Sequence, residues 1–154
     1  MPSDETNRQR VEQFFDCFNR RDYDGISQLV HDGFVQEWPQ SGERIRGFAN
    51  QRAILEHYPG LPDIDVQKLH GSQDTWLTTP SYTLLRVTGT GDQYTAEQRI
   101  RYPSGEEWYG VGIFEFRDGR VVKLTNYFGP PFPPAEWREP WVEVMEQPRP
   151  ASKG

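Results

Sequence analysis

The chain has 154 residues, 17 Lys and Arg against 23 Asp and Glu for a formal charge of −6, and one cysteine. That length suits a single domain with a real core, and the acidic balance argues against a nucleic-acid or anionic-membrane partner, which needs clustered Lys and Arg; the Arg20-Arg21 pair is too short. Cys17 alone excludes an internal disulfide and a cysteine-rich zinc site, and the polar Met1–Arg10 start, with no apolar run long enough to span a bilayer, leads us to expect a cytoplasmic protein.

Thr6 followed by Gln9 has capping-box spacing, and Val11, Phe14, Phe15 and Phe18 then recur at i, i+3, i+4 and i+7, which predicts a first helix burying an aromatic stripe. Cys17, on that helix, reads as a small buried hydrophobe. Asp22 is the expected N-cap of a short second helix through Ile26, Leu29 and Val30, stopped at Gly33. Phe34–Trp38 alternates as a strand, Pro39–Gly42 breaks it, and Phe48–Tyr58 reads as a third helix ended by Pro59-Gly60. Strands are expected over Asp63–His70 and Thr75–Val87, the second weakened by Pro80, with a turn at Gly89–Asp92.

From Tyr94 to Phe128 the pattern is a three-stranded meander. In Tyr102-Pro103-Ser104-Gly105-Glu106 and Phe116-Arg117-Asp118-Gly119-Arg120 the glycine position suits a type I turn closed by a left-handed residue, pairing Tyr102 with Glu106 and Phe116 with Arg120. Even-numbered residues then share the inner face, among them Trp108, Phe114, Val122, Leu124 and Phe128. A two-residue Asp118-Gly119 turn is the competing register; it would put Lys123 and Thr125 on the inner wall, and burial of apolar surface argues against it. In the preferred register Gln98, Gly110 and Asn126 form one row, about 4.8 Å per strand, and Gly112 widens the gap. Mid-strand glycines often mark a close approach, taken here to be that of a ligand. Beyond Phe128 the Gly129–Pro134 run cannot be regular structure, yet Trp137, Trp141, Val142 and Val144 follow it. Residues 1–147 therefore read as one domain with a docking tail over 129–147, and 148–154 as a disordered end.

Three stretches carry a resemblance: Phe14-Phe15-Asp16-Cys17-Phe18-Asn19-Arg20-Arg21-Asp22-Tyr23-Asp24-Gly25-Ile26, Gly33-Phe34-Val35-Gln36-Glu37-Trp38-Pro39, and Gly112-Ile113-Phe114-Glu115-Phe116-Arg117-Asp118-Gly119-Arg120-Val121-Val122. They resemble the nuclear transport factor 2-like superfamily, and within it the SnoaL-like group, over about Arg10 to Phe128. The resemblance implies an α+β fold: a cone-shaped barrel, with a strongly curved antiparallel sheet wrapped around three N-terminal helices. It also implies an aromatic pocket lined by Phe14, Phe18, Trp38, Trp108, Phe114 and Phe128, to which the reading of the strands adds Gly110, Gly112 and Leu124, and the third helix Tyr58. Members include ketosteroid isomerases, epoxide hydrolases, dehydratases and polyketide cyclases, and also proteins that catalyse nothing. Matched to the isomerase pattern, the oxyanion-donating tyrosine falls at Phe14, the general base at Trp38 and the protonated aspartate at Gly112, so that chemistry is not expected.

Gln98 and Asn126 are the candidate polar site residues, able to hold a water or polarise a carbonyl; alternatively they bond to each other or to the backbone across Gly110. Glu37 becomes a candidate base only if a bulge at Pro39 turns it inward, and Glu43 and Arg44 sit in a loop able to close over the mouth. His31 and His57 are explained by positions near helix C-termini, with His57 beside Tyr58 kept as a catalytic candidate. No metal cluster, dinucleotide fingerprint or nucleophile elbow is present, so neither metal nor cofactor is expected. The leading expectation is a cofactor-free enzyme acting on a small apolar, oxygenated molecule by isomerisation, cyclisation, dehydration or hydration. The alternatives are a non-catalytic ligand-binding or accessory protein with the same pocket, and a pure dimerisation module. Tyr109, Val111 and Ile113 make the outer sheet face partly apolar, which predicts a homodimer through that face.

Overall fold

The computed structural model describes residues 4–57, 81–102 and 105–145. Helix α1 (Asp4–Arg20) lays its aromatic stripe against a sheet, and α2 (Tyr23–Leu29) and α3 (Phe48–Glu56) complete the helical side. The strands are β1 (Val30–Trp38), β2 (Glu43–Arg46), β3 (Ser81–Thr90), β4 (Gln93–Arg101), β5 (Glu107–Arg117) and β6 (Arg120–Gly129). They form one six-stranded sheet in the order β2-β1-β6-β5-β4-β3. A short 3-10 helix, Glu136–Trp141, lies in the tail. Among the described residues no helix is long and apolar enough to cross a membrane.

The α+β architecture agrees with expectation, with two corrections. The sheet is mixed, because β1 pairs parallel with β6 while all other pairs are antiparallel. Among the described residues it is also open: β2 and β3 are its two edges, and no barrel closes. The hairpins from β3 to β6 fix the direction of β6, and the long connection separating β1 from it permits the parallel pairing that a hairpin cannot make.

The core is the interface of α1 with the inner sheet face. Phe14 and Phe15 both meet Phe114 edge-on, with ring centroids 5.3 and 5.6 Å away, and Phe18 meets Tyr82 at 4.8 Å. Each fully buried phenylalanine contributes roughly 1.5–3 kcal/mol, and edge-to-face geometry adds to it. Polar clamps then hold α1 to the edge strand. The Asn19 side chain donates to the Tyr82 carbonyl at 2.8 Å and accepts from the Tyr82 N–H at 2.7 Å, while Arg8 donates to the Val87 carbonyl. Groups that an edge strand would leave open are satisfied this way.

Local expectations fared unevenly. Thr6 lies inside α1, which is already helical at Asp4, so it does not open the helix. Asp22 caps α2 as expected, its Oδ1 accepting from the Gly25 N–H at 2.8 Å. That helix ends at Leu29, and His31 and Gly33 belong to β1, where the Gly33 N–H donates to His31 Nδ1 beside a register shift between Val30 and Val35. Cys17 is buried; burial first and the Asp22 carboxylate second push its thiol up, which favours the neutral form. The Asp63–His70 strand, Tyr58, His70 and Pro80 fall outside the described residues.

The two meander turns differ. At the first, Gly105 has φ +92°, its N–H reaches the Tyr102 carbonyl, and the Tyr102 N–H reaches the Glu106 carbonyl, which continues the expected Gln98–Gly110 pairing. At the second, the register argued against is the one adopted. Asp118 and Gly119 take φ +53° and +77° in a two-residue turn, and Arg117 faces Arg120. A bulge between Glu115 and Phe116 absorbs one residue, so Val121 and Leu124 are buried rather than Val122 and Leu124, and neither Lys123 nor Thr125 enters the core. Asn126 thereby faces Gly112, and Phe128 faces Gly110.

Replacing Asp22 with Ala should lower stability by about 1 kcal/mol through the lost cap, read as a reduced urea midpoint at unchanged m-value. An unchanged midpoint would show that the cap carries no net stability.

Candidate functional site

Between the inner sheet face and the helices lies a cavity of about 370 Å³. Its apolar walls come from Phe14, Phe15 and Phe18 on α1, Ile54 and Leu55 on α3, Trp38 and Ile45 on the first two strands, and Trp108, Leu124 and Phe128 on the meander. Alternation within β1 explains one wall: Phe34, Gln36 and Trp38 face inward, and Glu37 faces away. The mouth is framed by aromatic pairs, Trp38 with Phe128 at 6.5 Å and Tyr102 with Trp108 at 5.5 Å. Gln40 pins this end, its amide exchanging bonds of 2.6 and 2.7 Å with the Phe128 backbone.

Amides make up most of the polar side chains that line the cavity, beside the hydroxyls of Ser41, Tyr82 and Tyr102. Gln51 on α3 donates from Nε2 to Gln36 Oε1 at 2.6 Å, and Gln36 donates from Nε2 to Asn126 Oδ1 at 2.5 Å. This relay joins α3, β1 and β6, and it fixes Asn126 with its oxygen accepting and its Nδ2 as the donating end. Gln98 is different. Its side chain is 1 % exposed, it lines the cavity, and neither Oε1 nor Nε2 has a protein partner among the described residues. An amide left unpaired in the interior costs about 1–3 kcal/mol, so a partner entering the cavity would be favoured at Gln98.

The inward glycines explain how these amides fit. A Cβ on Gly110 would stand 2.8 Å from Ile100 Cδ1 and 2.9 Å from Gln98 Nε2; one on Gly112 would stand 3.3 Å from Asn126 Nδ2. The glycines therefore make room for Gln98 and Asn126, and they do not line the cavity, nor does Phe114, which is packed beneath Phe14 and Phe15.

Among the described residues the lining holds no carboxylate, imidazole, amine or guanidinium; Tyr82 and Tyr102 are its only ionisable side chains. Glu37 lies on the opposite face of β1, where Arg44 Nε donates to it at 2.8 Å and Lys123 Nζ lies at 3.2 Å; these two bonds, Arg44's first, hold its carboxyl below the usual range. It is an ion-paired surface group, with Arg44 engaged beside it and Glu43 exposed. His57 caps α3, its Nδ1 2.7 Å from the Ala53 carbonyl oxygen, exposed and away from the cavity. Tyr58 lies outside the described residues. No group of three His, Cys, Asp or Glu among the described residues is placed to hold a metal.

The structure thus brings Phe14, Phe18, Trp38, Gln98, Trp108, Leu124, Asn126 and Phe128 together around one cavity. Sequence reasoning missed Gln36 and Gln51, although both had a signal: Gln36 shares the parity of Phe34 and Trp38, and Gln51 stands three after Phe48 and four before Leu55 on one helix face. Gln98 and Asn126 do not bond to each other, since Asn126 is taken by Gln36.

The two amides should respond oppositely to apolar replacement. Gln98→Met removes an unpaired amide and should raise stability by about 1 kcal/mol, whereas Asn126→Leu strands Gln36 and should lower it by about 1–3 kcal/mol, both read by urea unfolding of ligand-free protein. A loss of stability in Gln98→Met would mean that its amide is paired in the folded protein.

The model of the SnoaL-like domain family matches residues 11–124. No curated protein matches the sequence. Among solved structures, an NTF-2 like protein of unknown function from Burkholderia xenovorans LB400 is 30 % identical, with 95 % of this chain and 100 % of that one covered and a TM-score of 0.74. A candidate ketosteroid isomerase from Kribbella flavida is 24 % identical, with 94 % of each chain covered and a TM-score of 0.75. An LEH-like epoxide hydrolase from M. tuberculosis shares the fold at 19 % identity, with 80 % of this chain and 83 % of that one covered and a TM-score of 0.56. With the curved mixed sheet, the helical lid and the sequence match over most of the chain, this protein belongs to the SnoaL-like domain family of the NTF2-like fold.

Proposed function

We propose that this protein binds a neutral, largely apolar small molecule bearing a carbonyl or hydroxyl group, held by hydrogen bonds to Gln98 and Asn126. The observation that carries this reading is the pairing of an aromatic cavity with a buried amide whose donor and acceptor are both unpartnered. A charged ligand would enter a low-dielectric space with no described counter-charge on its walls, a transfer that costs several kcal/mol. A neutral oxygenated one loses little on entry and supplies Gln98 with the partner it lacks. The volume is in the range of small-molecule sites.

A second reading, cofactor-free turnover, is favoured by the relay itself. Gln36, itself held by Gln51, engages the Asn126 oxygen as an acceptor, which leaves the Asn126 Nδ2 N–H as the group able to donate to a ligand. A pre-oriented donor stabilises negative charge growing on a carbonyl oxygen, the need shared by isomerisation, cyclisation, dehydration and hydration next to a carbonyl. In this reading the amides act as electrophiles and hold the reacting group, and any proton moves within the substrate or by way of water.

Native mass spectrometry of the purified protein, followed by binding of a size-matched panel of ketones, lactones, alcohols, carboxylates and amines, tests the proposal. Neutral oxygenated compounds should bind, their charged analogues should not, and Gln98→Met should weaken binding about tenfold, the worth of one well-made buried hydrogen bond. Equal binding of carboxylates or amines, or an unchanged affinity in Gln98→Met, would overturn it. Turnover of a bound ketone that disappears in Asn126→Leu while binding persists would establish the catalytic reading.

A further inference from the structure

The cavity wall holds a second polar group without a partner. Trp38 closes β1, and its backbone is fixed there: the Trp38 carbonyl accepts from the Gly42 N–H at 2.9 Å and from the Ser41 N–H at 3.2 Å. Its ring meets Phe128 at 6.5 Å and lines the cavity. The ring as a whole is half-buried, but its nitrogen is shut off from solvent, and Nε1 has no protein partner among the described residues. An indole N–H only donates, so whatever satisfies it must be an acceptor.

Gln98 stands at the other side of the same wall. It faces Gly110 across the sheet, Gly110 faces Phe128, and the Phe128 ring leads on to Trp38. In the strand order β1-β6-β5-β4 the two residues are three strands apart, roughly 14 Å at the backbone. The Gln98 amide leans toward Gly110, where its Nε2 would lie 2.9 Å from a Cβ, and this takes up one strand spacing of roughly 4.8 Å. Side chains on one sheet face stand roughly upright, so about 10 Å remains between the two groups. One oxygen bonded to both nitrogens spans only about 6 Å, two hydrogen bonds of about 2.9 Å each. A single oxygen therefore does not serve both.

We propose that the ligand carries two separated oxygens, one bonded to Gln98 and a second, a carbonyl, ester or ether oxygen, accepting from Trp38 Nε1. This deepens the reading of the cavity as a site for a neutral oxygenated molecule and rests on it: Trp38 selects, among such molecules, those with a second acceptor at the mouth. A purely apolar wall penalises every added oxygen, because a carbonyl that leaves water without a hydrogen bond loses affinity. An unpaired N–H in that wall reverses the sign, since the added oxygen and the buried donor satisfy each other. The two ends also differ in what they accept. Gln98 presents a donor and an acceptor and takes a carbonyl or a hydroxyl, whereas Trp38 requires a lone pair.

Calorimetric titration with 2-decanone and the size-matched 2,5-, 2,7- and 2,9-decanediones tests this, in the parent and in Trp38→Phe, which keeps an aromatic wall and removes the N–H. One spacing should fit: the best diketone should bind the parent at least as tightly as 2-decanone does. Trp38→Phe should weaken that diketone about tenfold and leave 2-decanone within about twofold. A second readout uses the parent protein alone. The indole N–H resonance of Trp38, one of five tryptophans, is identified by its loss in Trp38→Phe; it should move downfield with the best diketone and stay in place with 2-decanone. Binding of 2-decanone with every diketone at least about tenfold weaker would overturn the inference, as would an equal loss for ketone and diketone in Trp38→Phe, or an indole resonance that the diketone does not move. Each of these results leaves the reading of the cavity as a site for a neutral oxygenated molecule in place. Absence of binding by all four compounds would overturn both.

Discussion

Two successive inward positions of β5 carry no side chain, and the polar arrangement inside this protein depends on that. Gly110 and Gly112 leave volume that Gln98 and Asn126 occupy, closely enough that a methyl group on Gly110 would collide with the Gln98 amide. Strand interiors disfavour glycine on entropic and packing grounds, so its use twice on one wall is a cost accepted for what it admits. What it admits is hydrogen-bonding capacity without charge. From Asn126 the polarity runs through Gln36 to Gln51, so one helix and two strands contribute to a neutral donor array at the bottom of an aromatic cavity.

The scaffold separates fold from chemistry. Phe14 and Trp38, where the resemblance to ketosteroid isomerases would place a donor and a base, are both cavity walls, and the third such position, Gly112, supports Asn126. Acid and base groups are replaced by surface that packs. Charged side chains are nonetheless abundant nearby: Glu37, Arg44 and Lys123 form a cluster on the outer side of the same strands, whose described cavity-lining residues carry no charge. The pleat alone keeps the two apart, one residue from the other along β1, and the inward position belongs to Gln36 and Trp38. A neutral cavity binds by shape and hydrogen bonding, and it discriminates by leaving unmatched amides unpaired.

Much of this was legible in the sequence because it is local and periodic. The stripe Val11, Phe14, Phe15 and Phe18, the cap at Asp22, the third helix and the pairing of Gln98 with Gly110 all follow from spacing within one or two turns of chain. The parallel pairing of β1 with β6 was not legible, since it joins segments some ninety residues apart and no local signal encodes direction. The Asp118-Gly119 turn failed for another reason: burial ranked the two registers correctly only if the strand had no bulge, and a single extra residue between Val121 and Leu124 let the two-residue turn and the buried face coexist. The glycines were read as space for a ligand, and periodicity cannot tell that from space for a neighbouring side chain. Gln36 and Gln51 were recoverable from parity and helix spacing, but nothing in the sequence pairs them with each other or with Asn126.

The dependence of ligand affinity on pH measures the central claim most directly, because the described lining of the cavity holds no carboxylate, imidazole, amine or thiol, and its two tyrosines ordinarily titrate at about 10. For a neutral ligand the account predicts a dissociation constant that stays flat between about pH 5 and pH 9, the span in which carboxylates, imidazoles or thiols near their reference values would change charge. A slope approaching tenfold per pH unit anywhere in that span would place an ionisable group against the ligand and contradict it.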